Sequence, residues 1–457
     1  MLFGVHIYHS MLNPGPYIPH AFGDAVAQAL RQRGPWVTIG VQHSIHWPRR
    51  DVLVRYDGAE YVLRGIYPND DRRYRACVSR RATDGDVPTT LRALYRFASV
   101  LGWYKRGFVE VTTSTSGSAP IRCEDGYRPF VVMVSQGDAT FNCNYMPIIR
   151  DELVHRALAF WREGKWLEQL HPPYAFLSFY KVIDSQFRNG GAGRQWIDAE
   201  LRTLAGRAAE RLAELVAEGV TNAGAHIWES GRCAIAHASV GREIVDPDQP
   251  ADRVRLTKDL VVIRDLAETY IRNVLGVPDE YVVLETRDRL APLEELLHAQ
   301  VAAQLRGAET LPRRALQLQH QRVSIRIWPH AALPELMDLE LLVLSAHDGQ
   351  VRMQAVNTNR TIDIRFLMDF PRGRAHALME EMRYATREQG GNLADSVALI
   401  AFRKAVFTNH IAEIVFAAPE AIVQCEVVIP VNVDMMRTLQ VWQAEEDALR
   451  LLYDEPA

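Results

Sequence analysis

The chain has 457 residues, 48% of them hydrophobic and 24% charged, enough to bury substantial cores in more than one domain and too apolar for a disordered tail or a collagen-like rod. Lys+Arg 52 against Asp+Glu 56 leaves a formal charge of -4, so no global cationic field marks a nucleic-acid binder and any such contact must use a local patch. The five cysteines (Cys77, Cys123, Cys143, Cys233, Cys425) form no CxxC pair and are odd in number, which excludes a complete disulfide framework and predicts reduced thiols and a cytoplasmic location.

The first twenty residues lack the cationic start and apolar run of a signal peptide, and no stretch reaches the 18 or so apolar residues of a transmembrane helix, so no membrane partner is expected. From Met1 to about Met146 the pattern is strand-like. Runs such as Trp36–Val41 alternate, and Asp57-Gly58 between Val52–Tyr56 and Tyr61–Arg64 predicts a tight hairpin. Leu91, Leu94, Phe97, Ala98 and Leu101 recur at helical spacing over 89–103, and Thr112–Pro120 reads as a polar loop. Arg72, Arg73, Tyr74 and Arg75 interleave cations with an aromatic ring and form a candidate RNA contact, although Asp70 and Asp71 equally suit a solvated loop. This segment, 1–146, is expected to be an α+β domain.

Between Pro147 and about Pro278 long amphipathic runs predict five helices and an all-α bundle. The first spans 152–165. The second follows Pro172-Pro173 and is apolar on most of its circumference (Phe176, Phe179, Tyr180, Ile183, Phe187), as a central helix would be. Asn189–Arg194 reads as a glycine-rich turn without a phosphate-loop ending. The remaining helices are expected around 201–216, 223–240 and 256–274. Beyond 279 a second α+β domain, 279–457, should hold strands at 322–327, 339–344, 351–356, 362–366 and 423–428, with helices near 292–305, 374–387 and 433–452.

The fourth helix carries Arg232-Cys233-Ala234-Ile235-Ala236-His237. This arrangement, together with the apolar helix Phe176–Asp184, resembles the R-x4-6-H motif and preceding helix of HEPN-domain proteins over about 147–278. More loosely, the two segments resemble proteins labelled methylamine-utilisation protein J. The HEPN resemblance implies a central all-α HEPN-like bundle flanked by α+β domains, a homodimer, and a metal-independent endoribonuclease needing no cofactor, with Arg232 and His237 catalytic. Toxin-like or antiviral RNA cleavage under a regulatory protein partner would follow. Cys233 departs from the polar residue that such proteins often have immediately after the Arg, and Ser239 from the Tyr that they sometimes have two residues after the His.

The chemistry stands without the resemblance. Histidine, with a pKa near 6.5, can take a 2′-OH proton or return one to the 5′-oxygen, and arginine presents a cationic fork to phosphate. Asp184 and Glu229 are supporting candidates, either to orient these groups or simply to neutralise Arg232. The alternative is a non-catalytic nucleotide- or protein-binding accessory protein. His226, Glu229, Cys233 and His237 share one helical face, but a straight helix spreads 226 and 237 over roughly 16 Å, too far for one metal ion, and no metal site is expected.

Overall fold

The computed structural model describes residues 20–66, 76–123, 141, 143, 145–236, 244–327, 330–409, 411–417, 419–427 and 433–454. The chain forms two compact units, Met1–Ser135 with Cys143–Thr286 and Gln136–Asn142 with Arg287–Ala457.

The first unit is built on an antiparallel sheet in the order β1-β3-β4-β5-β2-β6. Its strands are β1 (His20–Ala21), β2 (Trp36–His43), β3 (Val52–Tyr56), β4 (Ala59–Arg64), β5 (Ala76–Arg81) and β6 (Val109–Gly117). The Asp57-Gly58 hairpin forms as expected: Tyr56 pairs with Ala59, and Asp57 (φ 50°) and Gly58 (φ 71°) both take the left-handed conformation that such a turn requires. The first part of the expected polar loop at 112–120 is instead strand, because β6 pairs with β2 along its length and, as an edge strand, can leave its Thr and Ser side chains to solvent.

Helices cover both faces of this sheet. Val62 packs with Val26 and Ala29 of α1 (Asp24–Arg31), while its neighbour Tyr61, which must point the other way, stacks on Phe97 of α2 (Val87–Tyr104) with centroids 4.3 Å apart. The α2 helix starts at Asp86, whose carboxylate accepts from Thr89 N at 3.1 Å, with Pro88 in the first turn.

The helices that follow are α3 (Glu152–Leu167), α4 (Pro172–Asp184), α5 (Gly190–Glu200), α6 (Gly206–Ala217) and α7 (Pro250–Thr269). As its apolar circumference requires, α4 is the buried one, with Phe176 and Phe179 fully enclosed. The Asn189–Arg194 stretch is not a loop but the start of α5, since Asn189 Oδ1 accepts from Ala192 N at 3.0 Å and tolerates the glycines that follow.

These helices do not form a central bundle standing between two α+β domains, which corrects the expected fold class. Trp161 of α3 meets Trp103 of α2 edge to face at 5.1 Å, and Arg162 donates to Glu110 of β6 at 2.9 Å and to Ser99 of α2 at 3.0 Å. The apolar face of α3 is therefore completed by α2, and sheet and helices share one interior.

The second unit is also not a simple layered α+β domain. Its strands β7 (Gln321–Arg326), β8 (Leu339–His347), β9 (Gln350–Val356), β10 (Ile362–Asp369), β11 (Arg374–Ala377), β13 (Ile411–Ala417) and β14 (Glu420–Glu426) close into a seven-stranded barrel, with β12 (Arg383–Tyr384) added beside β10. Closure rests on β11, which pairs antiparallel with β10 and parallel with β14 at His376 and Glu426. The helix expected over 374–387 is thus two short strands joined by a turn. Its Ala, Met and Glu residues favour a helix, but Ala375 and Ala377 alternate into the barrel core and the ladder prevails. The helices α8 (Leu393–Asn409) and α9 (Met435–Asp454) are joined by Phe407 on Trp442 at 5.2 Å and by the Lys404–Glu446 ion pair at 2.8 Å, and Leu399, Phe402 and Val406 of α8 belong to the barrel's buried cluster. No described helix is long and apolar enough to cross a membrane.

Candidate functional site

The helix carrying Arg232 is irregular where that residue sits. A turn at Ala223–His226, started by Asn222 Oδ1 accepting from Ala225 N at 2.9 Å, runs into a π-helical stretch, Ile227–Cys233, and ends in Ala234–Ala236. Widened helical turns of this kind recur at functional sites. Gly231 faces α4, where an added Cβ would come within 2.5 Å of the Phe176 ring, so only glycine lets this stretch lie against the buried helix.

Next to that contact the Arg232 guanidinium lies over the Trp228 ring, 4.9 Å from its centroid, and the Arg194 guanidinium of α5 approaches the same indole at 5.9 Å. The buried Tyr180 ring of α4 stands 5.8 Å from Trp228. Burial pushes the Tyr180 hydroxyl well above its ordinary range; Asp184 adds to this, while Arg232 and Arg194 oppose it, so the phenol stays protonated near neutral pH. Arg232 and Asp184 thus act in opposite senses on one tyrosine, and Tyr180, Arg232 and Arg194 all border the half-buried Trp228 ring. Glu229 is exposed on the π-helical stretch. His237 and the Arg72–Arg75 candidates lie outside the described residues.

A second polar cluster supports the stretch from α7. Asp259, 1% exposed, binds His226 Nε2 at 2.9 Å through one oxygen and accepts from Arg211 Nε at 2.9 Å through the other. Arg211 also donates to Glu214 and Glu218, each at 3.0 Å. Arg255 donates to the Ser230 carbonyl at 2.7 Å, supplying a partner to a backbone acceptor in the irregular stretch. His226 therefore belongs to a carboxylate–guanidinium cluster, and among the described residues no three His, Cys, Asp or Glu side chains gather into a set that could hold a metal ion.

Beyond the end of the stretch a cavity of about 150 Å³ opens between Ile235, Asp246 and Arg253 and the stacked rings of His171 and Tyr174, whose centroids are 4.2 Å apart. The sequence pointed to Arg232 and Asp184 but not to Trp228, Arg194 or Tyr180. Trp228 was legible as the residue one turn before Arg232, whereas Arg194 was hidden in what reads as a turn.

The family described as methylamine utilization protein MauJ matches residues 157–272, about a quarter of the chain and the part that holds all the side chains just described. No curated protein and no solved structure matches the chain. The match falls on the looser of the two resemblances and not on the HEPN one.

Proposed function

We propose that the chain is an RNA-binding endoribonuclease working without a metal, with Arg232 on the scissile phosphate and His237 as the proton carrier. The observation behind this reading is the convergence of Arg232 and Arg194 on Trp228. Guanidinium groups present paired donors to phosphate oxygens and remain charged at every physiological pH. The half-buried indole beneath them would offer a base a face on which to stack, without regard to sequence, once a guanidinium turns from the ring to phosphate. His237 follows Arg232 by five residues and carries the one side chain of the set that exchanges a proton near neutral pH. A second copy of the chain would supply the second arginine–histidine pair, so the working unit is a dimer. A cellular role in toxin-like or antiviral cleavage, restrained by a protein partner, accords with such an activity.

The test is incubation of the purified chain with single-stranded and structured RNA in EDTA, beside Arg232→Ala and His237→Ala. Cleavage should persist in EDTA and fall by about 10²-fold or more in either variant. Cleavage indifferent to both substitutions, or none by the parent chain, overturns the reading. The accessory, nucleotide-binding alternative draws on the same contact, because a guanidinium held on an indole of its own chain already has a partner. It predicts RNA or nucleotide binding that weakens in Arg232→Ala, with no cleavage product.

A further inference from the structure

A second cavity, of about 200 Å³, lies where the C-terminal end of α2 (Trp103, Arg106) meets α3 (Trp161, Lys165) and α7 (Arg264, Glu268), and shares no lining residue with the π-helical stretch. Asp279 completes its wall. Two features set it apart. Trp161 is 3% exposed, yet its indole N–H has no acceptor. Trp36, Trp47, Trp103 and Trp166 all donate, at 2.9–3.3 Å. A buried donor left without an acceptor is rare enough in folded proteins to require an explanation, and here the indole borders a polar cavity.

The second feature is the arrangement of charge. On one side Lys165 and Arg264 share Glu168, at 2.6 and 2.7 Å, and Arg264 also reaches Asp265 at 3.1 Å. On the other, Glu268 and Asp279 are both held by Arg272 at 2.5 Å, with Arg106 at 3.2 Å from Glu268. The cations are matched by carboxylates, so a lone anion or cation entering the cavity would leave a charge uncompensated in a partly desolvated place. The wall carries both signs of charge: Lys165 and Arg264 line it, and so do Glu268 and Asp279 with Arg106 beside them at 3.2 and 3.7 Å. Arg264 and Glu268 are one helical turn apart on the same face of α7, so a cation and a carboxylate border the cavity as neighbours.

We propose that this cavity binds a free α-amino acid, its carboxylate accepting from Trp161 Nε1 and from Lys165 and Arg264, its ammonium group set against Glu268 and Asp279. Such a zwitterion adds no net charge to a balanced site and gives the orphaned indole its acceptor. The edge-to-face pair Trp103 and Trp161 supplies the apolar wall against which its side chain packs. This site is independent of the RNA reading and survives its failure.

The experiment is isothermal titration calorimetry of the full chain with each of the twenty proteinogenic amino acids in turn, alongside the N-acetyl derivative and the primary amide of any that binds. At least one amino acid should bind with a dissociation constant of about 1 mM or tighter, and each derivative about tenfold or more weakly. Trp161→Phe removes the donor and keeps the ring, and Arg264→Met removes the charge and keeps the stem; each should weaken binding about tenfold while the melting temperature stays near that of the parent chain. If either variant fails to fold, Glu268→Gln at the ammonium side provides the same comparison. Binding by none of the twenty, equal binding of the acetylated or amidated forms, or undiminished affinity in the folded variants overturns the proposal.

Discussion

Asp259 shows how much one side chain settles around the candidate site. It is sealed from solvent, and its two oxygens fix His226 on the helix that carries Arg232 and Arg211 on α6. Asp259→Asn removes the charge that His226 and Arg211 share, while Glu214 and Glu218 remain on the guanidinium. Stability to urea should fall by about 1–2 kcal/mol, the scale of weakened hydrogen bonds to a charged group. His43 acts in a different currency. Burial drives its pKa from 6.5 down to about 4, partly offset by its hydrogen bond to the Ile45 carbonyl, and its ring lies on Trp47 at 4.8 Å. Because the native state takes up the proton less readily than the unfolded chain, stability is complete above about pH 6.5 and is lost as the pH falls toward 4. The loss amounts to about 2–3 kcal/mol. Urea titrations at stepped pH should show that slope, and His43→Phe should flatten it.

At the scale of the element, local rules suffice wherever neighbours in sequence are neighbours in space. The Asp57-Gly58 hairpin, the capped and periodic α2 and the apolar α4 could all be read directly, because turn chemistry and a 3.6-residue period are written into consecutive residues. Two elements misled for opposite reasons. Thr112–Gly117 looks like a loop because an edge strand need bury only one face at most, and 374–387 looks like a helix because its Ala, Met and Glu residues favour one, although its main partner β10 is the adjoining strand and only β14 is distant in sequence. The candidate site was half legible on the same grounds. Arg232 and Trp228 lie one turn apart, but Arg194 and Tyr180 reach them only through packing of α4 and α5. The closing strand β11 has the clearest consequence. Ala375→Pro removes a backbone donor from a four-residue strand paired on both sides, and should expose the amides of 374–377 and of their β10 partners to rapid hydrogen exchange while those of β7 and β8 remain protected.

The whole molecule consists of two units with separate interiors. Among the described residues, the core of the second runs from Leu290 to Val427 and contains residues of that unit alone, whereas the sheet of the first is completed by the helices that follow it. Calorimetry should therefore resolve two unfolding transitions, with Ala375→Pro lowering one and Asp259→Asn the other. A single transition displaced equally by both would show that the interiors melt together. This partition was the least legible level: composition and periodicity separate strand-rich from helix-rich stretches, but do not say that Trp103 and Trp161, far apart along the chain, close one interior between them.

The π-helical stretch places Arg232 in a phase that an ordinary helix would not give it. With every residue kept, a return of the backbone to 3.6 residues per turn would swing the guanidinium through roughly 70° about the axis relative to Trp228. A chain so rewound would keep its composition, charge and hydrophobic content untouched and yet aim its arginine elsewhere. At this position helical winding works as a rotational setting, and a comparison of chemistries that tallies only residue identities would overlook it.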